Sequence, residues 1–205
     1  TVTNSAGVSA GAFTAAKVVL TDTTGTVAFG GPTVITNSLT TAAKAYGVTF
    51  AGTSVLSGAP VFLNTGNVSF AGTTSLTTGA TITGTAATTV NLAGTIVSGG
   101  AFNIGALPAT TTVANATQLI LNSTTAASNF AGKVVSAGTG ANALSLLGVG
   151  TLTLSGDSSS SGVTGDINVI NGTLNVTGKL GSANVTSATS GTITGAGGTI
   201  GALNV

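Results

Sequence analysis

Two aspartates, Asp157 and Asp166, are the residues whose type and spacing come closest to catalytic chemistry in this chain. A glycosidase needs two carboxylates that face each other across the scissile bond, one of them with a raised pKa. Both aspartates lie in a segment rich in Ser and Gly, where an Asp side chain usually hydrogen-bonds nearby backbone. We therefore expect a turn here rather than an active site, with a carbohydrate-active β-helix as a minor alternative.

Other reactive side chains are scarce. The 205 residues include four Lys and three Asp, with no Glu, Arg, His or Cys. A serine hydrolase would lack its histidine base, and no Ser-x-x-Lys motif replaces it. Three separated Asp residues without the Gly-Gly-x-Gly-x-Asp repeat do not predict a calcium site. The sequence predicts a non-enzymatic protein with no catalytic residues, no cofactor and no metal.

The few charges also restrict the classes of partner. Four lysines scattered from Lys17 to Lys179 form no basic patch, which argues against nucleic-acid binding. No apolar run approaches the roughly 18 residues of a transmembrane helix, so we predict no transmembrane segment. Residue 1 is Thr, and no charged stretch followed by an apolar one opens the chain. We expect a mature product or an excised fragment.

The elements that must position these residues are strands. Thr, Ser and Gly dominate the sequence, and 42% of the residues are apolar, which is enough to build a core. Ser, Gly and Asn are poor helix formers, whereas Thr and Val suit strands. The composition therefore predicts an all-β fold with Gly and Asn at its turns.

A short pattern of the form apolar-x-apolar-x-Gly recurs along the chain. It occupies 27–31, 48–52, 68–72 and 90–94, and again 152–156 and 174–178. From Phe29 to Phe50, Phe70 and Leu92 the steps are 21, 20 and 22 positions. Three short strands with their corners use about twenty residues and return the chain one strand spacing along an axis. This step favours a β-solenoid over a β-sandwich, whose turns recur every 8 to 12 residues or so.

The repeat leads to a specific fold prediction. We predict one domain over residues 1–205, a right-handed parallel β-helix of about nine or ten coils and on the order of 45 Å long. Alternate apolar residues should point inward and stack into a core ladder. The predicted ladder comprises Phe29, Phe50, Phe70, Leu92, Phe130, Leu154 and Val176.

Two segments depart from the repeat. Residues 108–147 fit it least well, and Ala141 to Leu147 are predicted to form a short helical turn. The run of serines after Asp157 is predicted to be a loop that projects from one corner. This candidate contact loop comprises Asp157, Ser158, Ser159, Ser160 and Ser161.

Residues 148–205 contain the pieces Gly150-Thr-Leu-Thr-Leu-Ser-Gly156, Asn171-Gly-Thr-Leu-Asn-Val176 and Ser190-Gly-Thr-Ile-Thr-Gly195. In order and spacing this stretch resembles the autotransporter-associated β-strand repeat of passenger regions on bacterial surfaces. The usual aromatic and Gly pair are replaced by Ser159 to Gly162. The resemblance implies a parallel β-helix displayed outside a bacterial cell, and it carries no catalytic residues.

These observations favour a non-enzymatic structural protein of the bacterial cell surface that self-associates into fibres or a layer. The uncharged segment Thr199–Val205 looks like one more strand rather than a polar cap. We therefore expect end-to-end stacking of copies, or continuation in a longer chain.

The sequence also permits three functions other than self-association. The solenoid would be an adhesin stalk that binds host or matrix through the contact loop, a carbohydrate-active β-helix, or an ice-binding solenoid. Ice binding is suggested by Thr-x-Thr pairs such as Thr151/Thr153 and Thr192/Thr194, although these do not recur in every coil. The partners expected across these alternatives are another copy, a cell surface or a polysaccharide.

Overall fold

The computed structural model describes residues 1–83, 88–105, 110–114, 117–136, 142–159 and 162–205. Within these ranges the chain is all-β, with 23 strands and no helix. The strands pair in parallel and stack into a β-solenoid of about 9 turns. The predicted all-β solenoid is therefore confirmed.

Each turn contributes to three faces, which follow one another along the chain in the order 1, 2, 3; the first strand, β1, belongs to face 2. Face 1 contains short strands that pair only with the same face of neighbouring turns. They are β7 (Ser54–Leu56), β10 (Thr74–Leu76), β13 (Thr95–Ser98), β16 (Thr117–Leu121), β19 (Asn142–Gly148) and β23 (Ala202–Asn204).

Face 2 is built in the same way from a second set of short strands. They are β1 (Val2–Ser5), β8 (Val61–Phe62), β11 (Ala80–Ile82), β14 (Phe102–Ile104), β17 (Ser128–Phe130) and β20 (Thr151–Leu154). Four longer strands run through face 1 and then face 2. These are β3 (Phe13–Thr23), β5 (Thr33–Thr41), β21 (Asp166–Val176) and β22 (Asn184–Thr194). Irregularities of register, such as the one between Ala15 and Lys17, interrupt these long strands between the two faces.

Face 3 is a separate seven-stranded sheet. Its strands are β2 (Val8–Ala10), β4 (Val27–Phe29), β6 (Val48–Phe50), β9 (Val68–Phe70), β12 (Thr89–Leu92), β15 (Thr110–Val113) and β18 (Lys133–Ser136). In β4, β6 and β9 the first and third residues are buried and the middle residue is partly exposed. This alternation is the two-residue period of a strand with one face on the core.

At 31, 52, 72 and 94 the recurring glycine of the sequence pattern turns the corner from face 3 to face 1, whereas at 156 and 178 it follows strands of face 2. A Cβ atom on Gly72 would lie 2.6 Å from the carbonyl oxygen of Gly52, and one on Gly52 would lie 2.7 Å from that of Gly31. Real Cβ atoms do not approach backbone so closely, so stacking of these turns requires glycine at both positions.

The predicted core ladder is buried, but it forms two stacks rather than one. Phe29, Phe50, Phe70 and Leu92 are in register on face 3, and the rings of the first three are parallel at centroid distances of 5.0 and 5.6 Å. Phe130, Leu154 and Val176 are in register on face 2 instead. The prediction of a single continuous ladder is therefore wrong. Strands of face 2 and strands of face 3 both carry the apolar-x-apolar pattern, so the pattern does not distinguish the two faces.

The prediction of a helical turn between Ala141 and Leu147 is also wrong. Ala141 lies outside the described residues, and residues from 142 onward form β19, which pairs with β16 and β21. Leu144 and Leu146 point inward and are 2% and 0% exposed. Burial of alternate leucines between two paired strands outweighs the helical preference of Ala and Leu. The described strands of 108–147 thus continue the solenoid.

Candidate functional site

The two aspartates that suggested catalysis have different partners in the structure. A carboxylate oxygen of Asp157 lies 3.1 Å from the amino group of Lys179, on the adjacent turn. Asp166 accepts a hydrogen bond of 3.2 Å from the side-chain amide of Asn184. Each carboxylate is thus held by its own neighbour on the next turn.

Asp157 is the group whose titration the structure changes most clearly. The Ser159 hydroxyl, the Ser159 backbone N–H and then Lys179 lower the pKa of Asp157 from 3.8 to about 2. Its side chain remains 55% exposed, so this is a surface turn with an ion pair. A carboxyl with a lowered pKa is a poor proton donor at neutral pH, contrary to what a general acid requires.

The candidate contact loop only partly projects. Ser158 is 1% exposed, and its Oγ accepts a 2.8 Å hydrogen bond from the backbone N–H of Val134. The prediction that the loop projects is therefore wrong at Ser158, because the Ser158 hydroxyl is hydrogen-bonded to the preceding turn. Asp157 and Ser159 are exposed, whereas Ser160 and Ser161 lie outside the described residues.

A groove of about 470 Å³ lies at the corner where face 2 passes into face 3. We call it the corner groove. Its lining comes from four successive turns: residues 24–26, then 45–49, then 66–69, then 91. The lining residues are Thr24, Gly25, Thr26, Ala45, Tyr46, Gly47, Thr49, Gly66, Asn67, Ser69 and Asn91. None of them carries a charge.

Apart from Tyr46, the polar side chains of the corner groove have no hydrogen-bond partner in the described part of the chain. They are Thr24, Thr26, Thr49, Asn67, Ser69 and Asn91. Three of them, Thr49, Ser69 and Asn91, are in register on adjacent strands of face 3. Because parallel strands lie about 4.8 Å apart, their polar groups repeat at that interval along the axis.

The outer surface of face 2 shows the opposite behaviour. Its outward residues Asn129, Thr153, Asn175 and Thr194 are also in register, but they bond to one another or to adjacent residues. Asn175 donates to Thr153 at 3.4 Å and accepts from Thr194 at 3.3 Å. This ladder uses much of its own hydrogen-bonding capacity, whereas the corner groove leaves that capacity open.

A buried polar network supports the corner groove from behind. Asn64 is 0% exposed, and its amide donates to the carbonyl oxygen of Tyr46 at 3.0 Å and to that of Gly66 at 3.4 Å. Its side-chain oxygen accepts from Thr41 at 3.1 Å. The Asn64 side chain thus joins the 45–47 and 66–67 segments of the groove wall.

Tyr46 anchors the same wall. Its ring is 2% exposed, and its hydroxyl donates to the carbonyl oxygen of Leu20 at 2.9 Å. Burial raises the pKa of Tyr46 above its ordinary value, against hydrogen bonds to Thr41 and Ala42 that lower it. With its hydroxyl used internally and its ring buried, Tyr46 supports the groove but presents no aromatic surface to it.

A second surface feature lies on face 1. The outward residues at one register position form a row across six adjacent strands, which we call the outer band. It comprises Val34, Val55, Ser75, Val97, Ile120 and Leu147. All six are partly exposed, five are apolar, and no charged residue lies on these six strand segments.

Neither surface was identified from the sequence alone. The signal is present in the outward residue of each strand, which is Thr, Ser or Asn at 49, 69 and 91 and apolar at 34, 55 and 97. Only the assignment of each strand to a face collects these positions into a polar groove and an apolar row.

Known proteins add no identification. Neither the protein-family models, nor the curated proteins, nor the solved structures contain a match to this chain. In the portion of the chain that the structure describes, no helix is long and apolar enough to cross a membrane. The described residues also contain no cluster of three acidic side chains that could hold a metal ion.

Proposed function

We propose that this protein is a non-enzymatic structural component of a bacterial cell surface, which associates with copies of itself side by side. The observation that carries the proposal is the outer band, an uncharged row of five apolar side chains and one serine on face 1 of the solenoid. Contiguous exposed apolar patches on soluble proteins often mark interaction sites.

A second copy is the occupant that fits this surface best. Six strands at about 4.8 Å spacing make a band roughly 24 Å long and, for three residues per strand, about 10 Å wide. That is well below the roughly 800 Å² per partner of a stable pairwise interface. A single contact should therefore be weak, and association should depend on many copies that each repeat the same contact.

The ends of the stack favour a second mode of self-association, end to end. Among the described strands, β23 pairs only with β22, and Leu203 on it is 52% exposed. Ile193 and Ile200 at this end are only partly buried, as are Val8 and Phe13 at the other end. Either further residues of the same polypeptide or a second copy would pair with the exposed strand edges and cover these apolar side chains. A head-to-tail contact of this kind extends into a filament when it does not close.

The extracellular, bacterial placement rests on the resemblance of residues 148–205 to the autotransporter-associated repeat. A β-solenoid that uses Thr, Ser and Asn on its surface needs few ions for solubility, which agrees with such a placement. The near-absence of charge also removes the repulsion that normally deters self-pairing.

Charge introduced into the outer band tests the proposal. Val97→Lys places an ammonium group in the middle of the row, where a second copy would bury it unpaired. We expect association, followed by sedimentation velocity over a concentration series, to require at least tenfold higher concentration than in the parent chain. Thr112→Lys, at an outward position of face 3, adds the same charge and should leave association unchanged.

Two outcomes would count against the proposal. One is a parent chain that sediments as a single monomeric species at every concentration. The other is an equal effect of Val97→Lys and Thr112→Lys, which would point to net charge rather than to the outer band.

A further inference from the structure

We propose that the corner groove binds a neutral polysaccharide whose chain lies along the solenoid axis. This inference is independent of self-association, because the groove lies between faces 2 and 3 and the outer band lies on face 1.

The shape of the groove favours an extended ligand. Its lining comes from four successive turns, so it runs along the axis for about 14 Å, which is three strand spacings. Its volume of about 470 Å³ is in the range of ligand sites, yet it is open and lined mainly by polar groups and glycine. A drug-like molecule needs an enclosed apolar cavity, whereas a chain laid in a groove does not.

The chemistry of the lining selects a hydroxyl-rich ligand. Six hydroxyl and amide side chains face the groove without partners in the described structure. Hydroxyls and amides both donate and accept hydrogen bonds, which matches the hydroxyl groups of a sugar. Thr49, Ser69 and Asn91 repeat this capacity once per turn.

The absence of charge in the lining favours a ligand without charge. No lysine or aspartate lines the groove, and Lys44, the neighbour of Ala45 in sequence, is exposed and not part of the lining. An anionic polysaccharide would be desolvated there without a counter-charge. Neutral sugars incur no such cost.

A peptide fits less well than a sugar. Extended peptides gain affinity by pairing with a free strand edge. Along this corner the backbone is already paired between turns: Val27 N–H donates to Gly47 at 2.9 Å, and Val48 N–H donates to Asn67 at 2.8 Å. The groove therefore presents side-chain hydrogen-bonding groups, rather than free backbone groups, to a ligand.

The groove is fixed in shape before any ligand arrives. The Asn64 amide joins two of its wall segments, and glycine is required at the wall because a Cβ on Gly66 would collide with the Tyr46 backbone. A preformed site loses little conformational entropy on binding. Because the Tyr46 ring is buried, sugar stacking does not contribute, and affinity should rise with the number of sugar units engaged.

Calorimetric titration with oligosaccharides of defined length tests the inference. The probes are linear glucan, galactan and mannan oligomers, with polygalacturonate oligomers as the anionic comparison. We expect at least one neutral series to bind, with affinity that rises at least tenfold from the shortest to the longest oligomer. The polygalacturonate series should bind at least tenfold more weakly.

Variants locate the binding. Ser69→Leu places an apolar side chain outward in the middle of the groove, and Thr49→Leu does so one turn earlier. Each should weaken binding at least tenfold, while unfolding in urea confirms that the solenoid is intact. Thr81→Leu is the matched control, an outward position on face 2 of similar exposure, and should bind as the parent chain does.

The inference is overturned if no neutral series binds at about 10 mM. It is equally overturned if polygalacturonate binds as well as the neutral oligomers, or if both groove variants bind like the parent chain. Titration in the Val97→Lys background separates the two proposals, because that variant changes association without touching the groove.

Discussion

Thr111 offers a test of how side chains are packed inside the solenoid. It occupies an inward position on face 3, in register with Val90 on one side and Val134 on the other. The residue is 0% exposed, and its hydroxyl has no hydrogen-bond partner in the described structure. Burial of an unpaired hydroxyl costs about 1–3 kcal/mol. Thr111→Val keeps the side-chain shape, removes that cost and completes a column of valines.

We expect Thr111→Val to raise the free energy of unfolding by about 1–2 kcal/mol. Urea unfolding at 25 °C, followed by circular dichroism, should show this as a midpoint increase of roughly 0.5 M for a chain of this size. The same change at Thr74, whose buried hydroxyl also lacks a partner within the described residues, should have the same sign.

Thr117→Val is the matched control. The Thr117 hydroxyl is also buried, but it is placed to donate to the carbonyl oxygens of Leu92 at 3.0 Å and Ala114 at 2.8 Å. Loss of this interaction should lower stability by about 1 kcal/mol. If Thr111→Val is destabilising, or if the two variants shift the midpoint equally, the assignment of inward positions on face 3 is refuted.

Two further predictions concern the polar interactions. Asn64→Ala should lower the free energy of unfolding in urea by about 2–3 kcal/mol, because it leaves the buried Thr41 hydroxyl and the Tyr46 carbonyl oxygen without their Asn64 partner. The control is Asn122→Ala, at an exposed position, which should change the free energy of unfolding by less than about 0.5 kcal/mol. The stability that Asp157 contributes should be fully present above about pH 4 and lost as the pH falls through about 2, because its pKa is lowered in the folded state. Urea midpoints of the parent chain and Asp157→Asn should therefore differ at pH 5 and converge near pH 2; a constant difference would contradict the hydrogen bonds assigned to Asp157.

The fold was predictable because its two main determinants are local. Alternating apolar residues define the inward positions of each strand, and the recurring glycine marks a corner where a Cβ atom would collide with the preceding turn, as at Gly52 and Gly72. The near-constant step between Phe29, Phe50 and Phe70 then requires successive turns to stack. Each of these signals is readable in a window of about twenty residues.

The surfaces were not predictable in the same way. The two-residue period shows that Val97 and Asn91 point outward, but it does not show on which of three faces each lies. That assignment depends on corner lengths, which vary from turn to turn, so the sequence pattern predicts the wrong stack for Phe130. The Asn64 network was equally hidden, because it joins Thr41, Tyr46 and Gly66 from adjacent turns.

Images of the purified chain by negative-stain electron microscopy, over a range of concentrations, test the central claim most directly. The account predicts rods that associate side by side as the concentration rises, with Val97→Lys dispersing them and Thr112→Lys leaving them associated. Separate rods about 45 Å long at every concentration, unaffected by either variant, would contradict self-association through the outer band.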